Sequence, residues 1–181
     1  MRISYLLMTG IIGSVALGLN GYSAAASKGK AAAPTDAQIA AIVVAANKVD
    51  IKAGNLALSK SNNSEVKKFA DRMVVDHSGV NKSAVNLVDK LNIKPAGNPT
   101  SKHLTAVGEK TMQRLKGMNG AKFDKAYINN EVIYHEIVLD ALDKTLIPNA
   151  QNPKLKALLV KVRPAIAAHL DHAKQVQAAL G

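Results

Sequence analysis

The sequence predicts an all-α protein, a four-helix bundle with a short extra helix in the crossover, and three observations carry that expectation. Four long segments repeat apolar residues at alternating steps of four and three, which lays one buried stripe along a helix. Hydrophobic residues make up 48% of the chain and aromatics only 3%, a balance rich in Ala, Val, Leu and Lys that favours helix over sheet. At 181 residues without a cysteine, the chain is long enough to bury a core unaided by disulfides. The missing cysteines also exclude thiolate metal sites, a cysteine nucleophile and a lipoprotein-type anchor.

Met1 to Ala26 reads as a cleavable signal peptide. Arg2 is its basic start, Ile3 to Leu19 its apolar run, and Ala24-Ala25-Ala26 its small-residue cleavage site. Gly10, Gly13 and Gly18 interrupt the run, which argues against a retained membrane anchor. Cleavage would leave Ser27 first and export the protein to the periplasm or beyond. Residues 27–34 (SKGKAAAP) form a linker, and residues 35–181 form the helical domain.

Thr35 and Gln38 make a capping box that opens the first helix, with Ile39, Val43, Ala46, Asp50, Ala53 and Ala57 in register. A flanking row, Ile42, Val49 and Leu56, leaves Asp50 room to turn toward an edge. The polar turn Ser59 to Asn63 is short enough only for an antiparallel hairpin. Ser64 to Leu91 follows, with Val66, Ala70, Met73, His77, Val80, Ala84, Leu87 and Leu91 in one seam. Prolines and a glycine between Asn92 and Pro99 break the chain, and Ser101 is expected to cap a shorter helix ended by Gly117 and Gly120. His103 in its first turn has no seam partner and reads as a surface residue. The third long helix, Phe123 to Leu146, places Ile128, Val132, His135, Leu139, Leu142 and Leu146 in register. A loop from Ile147 to Asn152 leads to Pro153 at the first turn of the last helix, where Leu155, Leu159, Val162, Ile166, His169, Ala173, Val176 and Leu180 align. Pro164 inside that helix is expected to bend it.

Each long helix therefore carries one ionisable residue in its apolar seam: Asp50, His77, His135 and His169. Each helix is roughly 25 to 28 residues, about 40 Å, and each of these residues lies near its midpoint, so all four converge whatever the topology. Burying them costs free energy unless they are hydrogen-bonded, paired or metal-bound. Three imidazoles and a carboxylate make a ligand set for one zinc, copper or iron ion. Glu131, one turn before His135, and His172, three residues after His169, are reserve ligands at the rim. Met73 would add a thioether suited to copper(I), and Tyr127 and Tyr134 supply neighbouring bulk and hydroxyls. The alternative is a metal-free hydrogen-bonded layer in which Asp50, Tyr127 or Tyr134 holds neutral histidines and fixes packing.

Three segments, VKKFADRMVVDHS (66–78), GAKFDKAYINNEVIYHE (120–136) and RPAIAAHLDHA (163–173), resemble a family of small exported bacterial proteins of unknown function. Those proteins are described as predicted outer-membrane proteins and grouped with the ferritin-like bundles. The resemblance spans Asp36 to Leu180 and implies a ferritin-like four-helix bundle in the cell envelope more than it implies an activity. The family's recurring residues fall on Asp76, His77, Phe123, Asp124, Tyr127, His135, Pro164 and His169, with Asp50 where the family more often has Glu. A ferritin-like di-iron centre needs Glu-x-x-His on two helices, and this chain has none. Asp76 and Asp171 stand directly before His77 and His172, so each carboxylate points away from the histidine beside it.

The net charge of +11 falls to +10 when Arg2 leaves with the signal peptide. Without tryptophan, and with few aromatics interleaved among the lysines, that charge does not read as a nucleic-acid surface. Outside the cytoplasm it fits anionic lipid or an acidic envelope polymer, or simply a solvated lysine surface. No later stretch is apolar enough to span a membrane. No nucleophile motif, phosphate loop or paired catalytic carboxylates argue for an enzyme. The sequence thus supports a metal-binding exported protein first, and a structural or stress-related envelope protein second.

Overall fold

The computed structural model describes residues 32–181; the predicted signal peptide and residues 27–31 of the linker lie outside the described residues. Every regular element among the described residues is helical. Helix α1 spans Asp36–Lys60, α2 Ser64–Lys90, α3 Pro99–Lys116 and α4 Gly120–Ala141. A π-helical turn, Leu142–Leu146, and a single turn, α5, Ile147–Asn149, extend α4. Helix α6 then runs through Pro164 from Pro153 to Leu180. None of these helices is long and apolar enough to cross a membrane.

The helix ends follow from their capping chemistry. Thr35 and Gln38 exchange both capping-box bonds, at 3.3 and 3.0 Å. Asn63 and Asn152 each accept two backbone N–H groups at the starts of α2 and α6. At α3 the cap is Asn98, not Ser101: Pro99 takes the first helical position, and Ser101 returns a hydroxyl bond from three residues on. The expected loop from Ile147 to Asn152 is also corrected, since Ile147–Asn149 is helical and only the last three residues connect. Asp36 holds that connection by accepting the backbone N–H groups of Gln151 and Asn152, each at 2.9 Å.

Helix α2 folds back along α1, α6 packs against both α2 and α4, and α4 also touches α1; α3 lies outside, mainly against α1. The buried apolar residues separate into two clusters. One gathers Phe69, Met73, Leu115, Phe123, Tyr127 and Val176, the other Ile39, Val43, Leu142, Leu146, Leu159 and Ile166. Along every long helix, the polar residues that are buried deepest fall between the two: Asn47 and Asp50, His77, Glu131 and His135, and His169. The four-three spacing thus produces two apolar layers with a polar one between them.

Helix α3 approaches α1 at Gly108. A Cβ there would lie 2.7 Å from Val49 Cγ2 and 2.9 Å from its Cγ1, and a valine in a helix has little rotamer freedom to yield. Gly108→Ala is therefore expected to cost about 1–3 kcal/mol despite alanine's better helix propensity. Gly79→Ala on α2, with nothing within 4 Å, should instead add up to about 1 kcal/mol. Urea midpoints of the two variants would move in opposite directions, and a stabilised Gly108→Ala would show that α3 is only loosely seated.

Candidate metal centre

Asp50 arrives from α1, His77 from α2, Glu131 and His135 from α4, and His169 from α6. None of the five is more than 4% exposed. The edge position that the sequence left open for Asp50 is not taken, and Glu131 is buried beside it instead of standing at a rim. One nitrogen from each of His77, His135 and His169 lies within 4.8 Å of the other two, and the same holds for one atom each of Asp50, Glu131 and His135. The three imidazole centroids are 5.2–5.7 Å apart.

Hydrogen bonding fixes which nitrogen of each ring is free. Asn47 Nδ2 donates to the Val43 carbonyl at 2.8 Å, which turns Asn47 Oδ1 toward His77 Nδ1, also at 2.8 Å. A carbonyl oxygen only accepts, so Nδ1 carries the His77 proton. The Nδ1 of His135 donates to the Glu131 carbonyl at 2.8 Å by the same reasoning. On His169, Nε2 donates to Asp76 Oδ2 at 2.8 Å. The remaining nitrogens, His77 Nε2, His135 Nε2 and His169 Nδ1, are all buried without a hydrogen-bond partner, as are both Asp50 oxygens.

Asp50 Oδ2 lies 2.9 Å from His77 Nε2 and 3.5 Å from His135 Nε2. With Nδ1 of His77 already protonated, a lone pair on Nε2 would oppose a carboxylate oxygen at that distance. A proton or a cation between them is required. Burial pushes the Asp50 carboxyl up, but the charge and hydrogen bond of His77, with His135 behind, outweigh it and hold Asp50 below its usual range. Glu131 goes the other way: burial, then the neighbouring Asp50 charge, lifts it well above the ordinary glutamate value.

Burial lowers His135, although Asp50 partly opposes it, and burial lowers His169 to about 4 in spite of its bond to Asp76. Tyr134 is near the layer, with its hydroxyl committed to the Ala46 carbonyl at 2.9 Å. Tyr127 is fully buried with an unpartnered hydroxyl, and burial raises it well above the usual phenol value. Met73 sits in the apolar cluster with Phe69, and the half-buried His172 packs edge-on against that phenylalanine at 5.2 Å. His103 is exposed.

Two partners escaped the sequence reading. Asn47 adjoins the seam position Ala46 but does not itself fall in the seam. Asp76 does point away from His77 beside it, and for that reason it reaches His169 on α6. A polar residue one step from a seam was the available signal in both cases.

Residues 21–176 match the family described as domain of unknown function (DUF4142). No curated protein and no solved structure matches the chain.

Proposed function

We propose, on the premise that the chain belongs to the family of the domain of unknown function DUF4142, that it is an exported, ferritin-like four-helix bundle holding one transition-metal ion. His77, His135 and His169 supply the ion's nitrogens, and Asp50 supplies an oxygen, with Glu131 in reserve. The observation that carries this reading is the state of the three rings. Each donates one N–H, to Asn47, to a carbonyl and to Asp76, and leaves the other nitrogen free toward its neighbours. Metal-ligating histidines are oriented in this way by the groups behind them. Bonds of about 2.1 Å put the nitrogens of a tetrahedral site about 3.4 Å apart, so a set already within 4.8 Å needs only small movements to close on an ion.

Zinc, copper(II) and iron(II) all accept such a donor set. Protein purified without an affinity tag and stripped with a chelator is expected to take up one equivalent of at least one of them. Binding should be at least a hundredfold weaker in His77→Ala plus His135→Ala, and should weaken below neutral pH as protons compete. Equal binding by wild type and the double variant, measured by titration, would sink the proposal.

The 2.9 Å approach of Asp50 to His77 favours a second reading, in which a proton takes the ion's place and the layer only fixes packing. The basic exported surface would then meet anionic lipid or envelope polymer. That reading predicts salt-sensitive adsorption to anionic vesicles, and absence of binding at low ionic strength removes it.

A further inference from the structure

Beside the polar layer, on the side of Val43, Leu146 and Ile166, lies a cavity of about 110 Å³. Side chains of α1, α2, α3, α4, the π-helical turn and α6 line it, and most are aliphatic. The π-helical turn supplies Leu142 and Leu146, and a bidentate pair between Arg163 and Asp143, at 2.6 and 2.7 Å, ties this turn to α6. Single π turns inside helices frequently mark functional sites. A space with such walls favours an apolar occupant; since about 150 Å³ takes benzene, this one has room for roughly four or five heavy atoms.

Its polar end defines the rest of the ligand. Asp50, His77 and His135 line it, together with Asn47 and Tyr134. Asn47 and the Tyr134 hydroxyl already have their partners. The unpartnered atoms there are Asp50 Oδ1 and Oδ2 and the Nε2 atoms of His77 and His135, and a carboxylate oxygen only accepts. An occupant must therefore bring a donor. A second carboxylate would bring none, and would meet the Asp50 charge in a buried site. We propose that this cavity binds a short, uncharged aliphatic alcohol of three or four carbons, its chain among the leucines and its hydroxyl donating to Asp50. The proposal does not depend on the metal reading, because Asp50 offers a second oxygen when the first is engaged.

Titration of the full chain with ethanol through hexanol, followed by methyl carbon–proton NMR, tests it in the stripped and the metal-loaded protein. Saturable shifts are expected at the Val43, Leu146 and Ile166 methyls. Affinity should rise about fourfold for each added CH₂ as far as butanol and then level off. Butanoate should not bind. Val162→Phe fills the cavity from a half-buried position and should weaken butanol at least tenfold. Leu158→Ala, also half-buried, enlarges it and should move the plateau to longer chains, an independent check if the phenylalanine disturbs folding. Absence of saturable shifts, butanoate binding as tight as butanol, or a series unchanged by both variants would overturn it. Binding in the absence of metal uptake would leave the cavity standing while the metal reading falls.

Discussion

Asp50→Ala is expected to destabilise the metal-free protein by about 3–5 kcal/mol at pH 7.5, the cost of breaking a buried ionic pair from one side. The carboxylate is only 1% exposed. It faces His77 Nε2 at 2.9 Å and His135 Nε2 at 3.5 Å. Removing it leaves the proton between Asp50 and His77 without an acceptor, and opens a void among three helices. Asp50→Asn keeps the volume, and its amide N–H can donate to a neutral His77 Nε2, so its cost should be nearer that of one altered hydrogen bond, about 1–2 kcal/mol. Urea denaturation of both variants gives the comparison. A double-mutant cycle with His77→Ala should show coupling of about 0.5–3 kcal/mol, because once the imidazole is gone the carboxylate has lost its main partner. A loss below about 1 kcal/mol for Asp50→Ala, with no coupling, would mean that the pair is hydrated.

The polar layer was legible in the sequence because one rule places it. Four residues that break a four-three seam near the midpoints of four helices must meet if the seams meet, and His77, Asp50, His135 and His169 do. Periodicity says which stripe a residue occupies but not which groups lie one position aside. Glu131 was therefore placed at a rim although it is buried, and Asn47 and Asp76 were not connected to the rings that they orient. Axial spacing was also blind to the π-helical turn: Leu142 and Leu146 fit a four-residue step, and no residue type signals the extra residue per turn. The α3 cap was a matter of local chemistry, in which Pro99 fixed the start of the helix and so gave the cap to Asn98.

Acidification tests whether the layer is dry, and the sign of each group sets the outcome. His135 and His169 titrate below their ordinary value of 6.5 in the folded protein, His169 at about 4. The unfolded chain thus binds more protons as the pH falls below about 6.5, and the stability these histidines contribute above that pH is lost toward pH 4, up to about 3 kcal/mol for His169. Glu131 has the opposite sign. Its folded pKa is raised above 4.5, so its contribution is full in acid and is lost as the pH rises past that value. Asp50 and Asp76, both lowered from 3.8, act only in stronger acid. The metal-free wild type should therefore respond shallowly between pH 4.5 and 6.5, with the glutamate opposing the imidazoles. Glu131→Gln removes the opposing ionisable group and keeps the side-chain volume. Its stability should fall with acidification by up to about 1.4 kcal/mol per pH unit for each proton taken up, and it should exceed wild type at pH 8 by a margin that closes toward pH 4.5. Urea midpoints across that range measure both curves. A Glu131→Gln curve that is flat from pH 6.5 to 4 would place His135 and His169 in water and remove the basis for a buried centre.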